Sequence, residues 1–123
     1  MDEKICLDTG VCIEVVKGNK NLNHFFETDN LPYVGTITVF ELLLRKTNLD
    51  KIDFLLSKVN ILNFDEVSAK KASYIYKELE KFGELIEFRD IFIASISIIN
   101  NCTLATLNKK HFSRIKGLKL LEI

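Results

Sequence analysis

The stretch 5-ICLDTGVC-12 decides the fold, because an apolar run leads directly into a carboxylate. Its first residues predict a short buried strand over 5–8, which leaves Asp8 at the carboxyl end of that strand. The apolar residues that follow predict a short helix over 11–17. We therefore interpret Asp8 as the first side chain of a site at the end of a strand.

The rest of the chain continues this alternation of strands and helices. Apolar runs predict further strands over residues 33–37, 60–64, 103–107 and 119–122, and helical spacing predicts helices over 21–28, 38–46, 50–58, 66–82, 90–100 and 109–115. Such alternation is typical of an α/β fold with a parallel sheet and helices on both faces. In such sheets ligands bind beyond the carboxyl ends of the strands.

The composition fits a single domain, residues 1–123. The chain has 123 residues, of which 47% are hydrophobic and 28% are charged, which is enough apolar material for one core. The 17 basic and 17 acidic residues cancel. If the partner is a nucleic acid, attraction must come from a local basic patch or a bound metal ion rather than from net charge.

No segment has the character of a signal peptide or a membrane span. We therefore expect a soluble, cytoplasmic protein with no membrane partner. Three cysteines, Cys6, Cys12 and Cys102, form no C-x-x-C pair. We interpret them as reduced, buried thiols that pack as small hydrophobic side chains.

Four polar residues stand in apolar surroundings or at strand ends, namely Asp8, Glu41, Asp90 and Asn108. Each has an ordinary explanation: Asp8 and Asp90 suit helix caps, Asn108 suits a turn, and Glu41 has Arg45 as its i+4 neighbour. However, the helix that carries Glu41 is apolar nearly all round, and we expect it to be largely buried. A buried carboxylate must be paired, protonated or bound to metal.

Together these four residues predict a metal site. All of them fall at strand ends or in nearby helical turns, which converge on one edge of a parallel sheet. Carboxylates that meet there repel one another unless a cation is present. Oxygen ligands of this kind suit Mg²⁺ or Mn²⁺.

The ordered motifs LDTG (7–10), TITVFELL (36–43), RDIFIASIS (89–97) and LATLNKKHFSRIKGLKL (104–120) resemble a PIN domain, and more narrowly the stand-alone VapC-type toxin ribonucleases. The resemblance covers residues 5–120. It implies a three-layer sandwich with a five-stranded parallel sheet in the order 3-2-1-4-5. It also implies Mg²⁺- or Mn²⁺-dependent endoribonuclease activity, a homodimer, and a cognate antitoxin that inserts a segment into the active-site groove.

The resemblance also assigns roles to particular residues. Asp8, Glu41 and Asp90 match the three metal-centred acids of the family, and Thr9, Thr106 and Asn108 match supporting positions. This chain departs from the family pattern at Gly10, where Asn or Ser is usual, and at Asn108, where many members carry a fourth acid. Both departures predict weaker support for the metal than is usual in the family.

Basic residues follow the fourth motif position, and Lys109, Lys110 and Arg114 are candidates for RNA phosphate binding. A solvated helix face explains them equally well. The RNA substrate would be a cellular RNA such as tRNA or rRNA. Two alternatives stay open, a PIN-fold RNA-processing nuclease and an RNA-binding module with weakened catalysis.

Overall fold

The computed structural model describes residues 3–123 and contains one five-stranded sheet. The strands are β1 (Ile5–Leu7), β2 (Tyr33–Gly35), β3 (Asn60–Leu62), β4 (Thr103–Thr106) and β5 (Lys119–Glu122). All neighbouring strands are parallel, in the order β3-β2-β1-β4-β5. The predicted α/β fold and strand order are therefore confirmed.

Six α-helices and one 3-10 helix connect the strands in the described chain. The helices are α1 (Thr9–Val16), the 3-10 helix (Lys20–Phe26), α2 (Thr36–Leu43), α3 (Leu49–Ser57), α4 (Glu66–Lys81), α5 (Phe88–Ile99) and α6 (Lys109–Phe112). Local signals explain the longest of them. Asp65 caps α4 by accepting a hydrogen bond from the amide of Ser68, and Gly83, at a φ of 66°, follows its end.

Two apolar cores lie on opposite faces of the sheet and produce the three-layer sandwich. Successive strand residues point to opposite faces, so Cys6 and Leu104 belong to one core while Leu7 and Ala105 belong to the other. The first core is completed mainly by α4 and α5, and the second by α1, the 3-10 helix, α2 and α3. Strand β4, which lies between β1 and β5, is buried along its whole length.

Several predicted boundaries were wrong. The strand predicted over 33–37 ends at Gly35, and Thr36 already begins α2. The helix predicted from residue 90 begins at Phe88, and the one predicted over 109–115 ends at Phe112. The direct passage from β2 to α2 also brings Gly35 against α5, where a Cβ atom would lie 2.9 Å from Cδ1 of Ile96.

The expectation that the Glu41 helix is largely buried was also wrong. Only Thr38 and Leu42 of α2 are buried. Phe40, Leu43 and Leu44, at the end of the helix, are 54%, 51% and 57% exposed. We call these three residues the apolar face of α2.

The remaining expectations concern the thiols and the membrane. Cys6, Cys12 and Cys102 are free and buried, as predicted. Within residues 3–123, every helix is too short or too polar to cross a bilayer.

Candidate active site

Asp8 lies where β1 passes into α1, at the carboxyl end of the central strands. Its amide donates to the carbonyl of Ala105, which extends the pairing of β1 with β4 by one residue. Its carboxylate accepts hydrogen bonds from the amide of Val11, at 2.8 Å, and from the hydroxyl of Thr106, at 2.5 Å. Asp8 therefore caps α1 and is also fixed by the neighbouring strand.

The electrostatic environment of Asp8 favours its neutral form. The side chain is only 6% exposed, and this burial raises the pKa of the carboxyl above its usual value. The hydrogen bonds from Thr106 and Val11 lower the pKa, and the nearby Glu41 raises it. Asp8 is thus a carboxylate that would gain from a cation.

Glu41 approaches the same region from α2. The hydroxyl of Thr9 donates to its Oε1 at 2.7 Å, and Oγ1 of Thr9 lies 3.1 Å from Oγ1 of Thr38. Its Oε2 lies 3.6 Å from Nη1 of Arg89. The partner of Glu41 is therefore Arg89 on α5 rather than Arg45, whose Nε is buried without a hydrogen-bond partner.

Asp90 is the third acid, in the first turn of α5. Glu87 caps that helix by accepting from the amide of Arg89 at 2.7 Å, so capping does not explain Asp90. Oδ2 of Asp90 lies 3.1 Å from Nδ1 of His111. Burial raises the pKa of the Asp90 carboxyl, His111 lowers it, and the charges of Glu87, Glu41 and Asp8 raise it.

These pKa shifts show that the three acids act on one another. Glu41 raises the pKa of both aspartates, and Asp8 raises that of Asp90. The chain therefore brings together three carboxylates that its motifs place far apart in sequence. Their mutual repulsion is the physical basis for treating this edge of the sheet as the candidate active site.

Thr106 on β4 and Asn108 after it support the site in different ways. Thr106 is fully buried, and its hydroxyl oxygen also accepts the amide of Asn108 at 2.9 Å. Asn108 enters this network through its backbone, and its side chain is exposed and does not cap α6. Gly10 leaves space on the other side, because a Cβ atom there would lie 3.6 Å from Oδ1 of Asp8.

The basic candidates are spread over the surface that follows Asn108. Lys109 and Lys110 are exposed on α6. The guanidinium of Arg114 donates to the carbonyls of Glu84 and Leu85, at 3.4 and 3.3 Å, so it supports the loop before α5. A role in phosphate binding stays a prediction for all three.

Three residues of the site were missed by sequence reasoning. Thr38 contacts Thr9, Arg89 pairs with Glu41, and His111 pairs with Asp90. Each lies close in sequence to a predicted site residue. Thr38 is three positions before Glu41, Arg89 directly precedes Asp90, and His111 is three positions after Asn108. That proximity was the available signal.

The donor chemistry of the site fits a hard divalent cation. Its acids supply carboxylate oxygens, which Mg²⁺ and Mn²⁺ prefer, and burial raises the pKa of Asp8 and Asp90, which a bound cation would offset. As the side chains stand, no group of three or more His, Cys, Asp or Glu residues within 3–123 has the arrangement of a metal site. Glu41 and Asp90 are instead held by Arg89 and His111.

Comparisons with known proteins agree with the fold and the motifs. The model of the PIN domain matches residues 5–118. The chain belongs to the PIN domain family.

Within that family the chain is similar to several VapC ribonucleases. Ribonuclease VapC3 of Methanocaldococcus jannaschii is 39% identical over 93 residues, which are 73% of this chain and 94% of that protein. Ribonuclease VapC1 of the same organism is 34% identical and the match spans 98% of this chain and 89% of that protein. The structure is also similar to a chain in the crystal structure of VapBC2 from Rickettsia felis bound to a DNA fragment from their promoter. The two chains superpose with a TM-score of 0.85 at 29% identity, and the match covers 97% of this chain and 98% of that one.

Proposed function

We propose that this chain is a VapC-type toxin, an endoribonuclease that hydrolyses RNA phosphodiester bonds and is neutralised by a cognate antitoxin. The observation that carries the proposal is geometric: Glu41 accepts a hydrogen bond from Thr9, directly after Asp8, and pairs with Arg89, directly before Asp90. The ribonuclease names of the VapC relatives and the VapBC complex of the structural neighbour support it.

The catalytic and metal-binding residues that we propose are Asp8, Glu41 and Asp90. They would hold Mg²⁺ or Mn²⁺, which supplies charge neutralisation at the phosphate and a more acidic water nucleophile when it is bound. Thr106 and the amide of Val11 orient Asp8, and Thr9 orients Glu41. Nδ1 of His111 lies 3.1 Å from Oδ2 of Asp90 and would help to position that carboxylate.

The substrate that we propose is a structured cellular RNA such as tRNA or rRNA, cleaved in the cytoplasm. The chain carries no net charge, so the attraction for RNA must arise locally. Lys109 and Lys110 are exposed on α6, directly after the network of Thr106 and Asn108. We propose that they bind phosphates on one side of the acids.

The partners that we propose are a cognate antitoxin and a second copy of this chain. The apolar face of α2 exposes Phe40 and Leu43 on the same short helix as Glu41. Exposed apolar side chains of this size are typical of protein interfaces. An antitoxin segment bound there would lie beside Glu41 and obstruct the approach of RNA, which explains how binding would silence the enzyme.

The test is cleavage of total cellular RNA by the purified protein with Mg²⁺ or Mn²⁺. We expect discrete fragments that EDTA suppresses and that the Asp8→Asn variant does not produce. Asn at position 8 keeps an oxygen for the amide of Val11, so this variant retains the cap of α1. Fragments of equal yield from the Asp8→Asn protein would refute the assignment.

Two features favour a second candidate, an RNA-binding module with weakened catalysis. Gly10 presents no side chain to Asp8, and the side chain of Asn108 supplies no fourth charge. The same experiment separates the candidates, because such a module would bind RNA and metal without producing fragments. A PIN-fold RNA-processing nuclease would cleave precursor RNA at defined processing sites rather than mature RNA.

A further inference from the structure

Arg89 is the cation that the three-acid site already contains. It precedes Asp90 in the first turn of α5, and its guanidinium reaches two carboxylates on different elements. Nε donates to Oε1 of Glu87 at 3.1 Å, and Nη1 lies 3.6 Å from Oε2 of Glu41. Glu41 is one of the proposed metal ligands, so Arg89 holds a group that a divalent cation needs.

The charges of neighbouring acids act on Arg89. Its hydrogen bond to Glu87 raises the pKa of the guanidinium most, and the charges of Glu87, Glu41 and Asp90 raise it further. In the absence of metal, Arg89 therefore offsets part of the repulsion among the acids. A divalent cation that bound the same acids would compete with Arg89 for Glu41.

Arg89 is also able to reach a substrate. Its side chain is 45% exposed, whereas the side chain of Glu41 is 19% exposed. A guanidinium carries five N–H donors in a planar fork that matches two phosphate oxygens. Among the described residues, Nε contacts Glu87 and Nη1 lies near Glu41, which leaves the N–H donors of Nη2 for a further anion.

We propose that Arg89 binds the RNA phosphate beside the bond that is cleaved, and that its guanidinium leaves Glu41 for this phosphate when a divalent cation occupies the acids. This inference rests on the proposed ribonuclease function. Arg89 is then a substrate-binding residue that also pairs with Glu41 in the metal-free protein. Its removal should therefore raise the affinity for Mn²⁺ and lower the affinity for RNA.

The Arg89→Ala variant tests both roles. The cap of α5 uses the backbone amide of Arg89 and the side chain of Glu87, so truncation of the arginine leaves the cap in place. Mn²⁺ should bind about two- to fivefold more tightly to the metal-free variant, because the competing cation is gone. The kcat/KM for RNA cleavage should fall about 10-fold or more, because a charge-assisted contact with phosphate is lost.

Two further variants serve as controls. Arg89→Lys keeps a point charge without the planar fork, and it should restore part of the lost kcat/KM. Lys70→Ala removes a surface cation that pairs with Glu66 in an i,i+4 salt bridge at 3.1 Å, on the exposed side of α4. It changes the net charge as Arg89→Ala does and should leave both Mn²⁺ affinity and cleavage near wild type.

The affinity for uncleaved RNA separates this inference from the proposed function. It is measured by filter binding in Mn²⁺, at a concentration that occupies the remaining acids Glu41 and Asp90, with the Asp8→Asn protein and the Asp8→Asn, Arg89→Ala double variant, and the double variant should bind about 10-fold more weakly. A wild-type protein that cleaves no RNA would overturn the proposed function, while the two affinities would still decide the role of Arg89. Equal RNA affinity of these two proteins, or unchanged Mn²⁺ affinity in Arg89→Ala, overturns the inference.

Discussion

Thr106 donates its hydroxyl hydrogen to the carboxylate of Asp8, and the same oxygen accepts the backbone amide of Asn108. One buried hydroxyl thus connects the ends of the two central strands. The register explains this contact, since Leu7 pairs with Ala105 and the next residue on each strand is Asp8 and Thr106. The sheet itself therefore positions the first acid of the site.

Replacement of Thr106 by Val should weaken both stability and metal binding. The hydrogen bond from Thr106 lowers the pKa of Asp8, so its loss raises that pKa and reduces the affinity for a divalent cation at neutral pH. It also leaves the amide of Asn108 without its partner, at a cost of about 1–2 kcal/mol. Urea denaturation and Mn²⁺ titration measure the two effects. Thr106→Ser keeps the hydroxyl and should behave like wild type, so equal losses in both variants would contradict this explanation.

The Asp8→Asn variant should be inactive and yet more stable than wild type near pH 7 without metal. Burial raises the native pKa of Asp8 above its unfolded value. Between the pKa of Asp8 in the unfolded state and its higher pKa in the native state, the native state binds more protons. Wild-type stability therefore falls as the pH rises through this range. Asn carries no charge that burial disfavours, so we expect the free energy of unfolding to be about 1 kcal/mol higher in the variant.

The pH dependence provides the check on this prediction. The stability difference between the two proteins should shrink as the pH is lowered towards 4, where Asp8 in the wild type becomes protonated. Chemical denaturation in EDTA at several pH values measures it. A difference that grows on acidification would contradict the assigned sign.

Gly35→Ala should destabilise the protein by steric conflict rather than by lost flexibility. A Cβ atom at this position would lie 2.9 Å from Cδ1 of Ile96, and overpacking of this kind costs about 1–3 kcal/mol. The Ile96→Val substitution removes that methyl group and should recover most of the loss in the double variant. Thermal unfolding of the four proteins completes the cycle, and strictly additive effects would argue against the contact.

Gly10→Ser should raise activity modestly. The added Cβ atom would make an ordinary contact of 3.6 Å with Oδ1 of Asp8, and the hydroxyl is then placed to donate to the carboxylate. Such support should lower the pKa of Asp8 and raise kcat about two- to fivefold. Gly10→Ala is the matched control without a hydroxyl, and an equal gain in both variants would exclude the hydrogen bond as the cause.

Leu43→Lys should weaken binding of the cognate antitoxin by about 10-fold or more, because it places a charge on the apolar face of α2. The side chain is 51% exposed, so the fold should tolerate the change. Val67→Lys, on α4, alters a residue of similar exposure at 55% and should leave binding unchanged. Isothermal titration measures the affinity for the antitoxin. Sedimentation of the free protein measures its oligomeric state and so detects loss of a homodimer.

The strand order could be predicted from the sequence through the resemblance of its ordered motifs to a PIN domain. The roles of Asp8, Glu41 and Asp90 rest on the same motifs and stay a prediction. The exposure of α2 could not be predicted, since Phe40 and Leu43 have the same apolar character whether they face a core or a partner. The passage from Gly35 directly into α2 also lacks a turn signal. The close approach of the glycine to Ile96 depends on the packing of two elements that sequence does not reveal.

The pairs within the site were beyond sequence reasoning for a related reason. Glu41 has Arg45 four residues ahead on the same chain segment, and local spacing favours that pair. The structure selects Arg89, because the start of α5 lies against α2. The ring of His111 approaches Asp90 in the same way, from a helix that follows a different strand.

The buried thiols of Cys6 and Cys12 allow the folding of this protein to be followed chemically. Both are fully shielded from solvent, and burial raises the pKa of each thiol. The thiolate attacks alkylating reagents, so the native molecule resists them, and modification of Cys6 or Cys12 records an opening of β1 or of the packing of α1 on the sheet. When labelling is faster than reclosing, its rate gives the frequency of that opening, without any introduced probe.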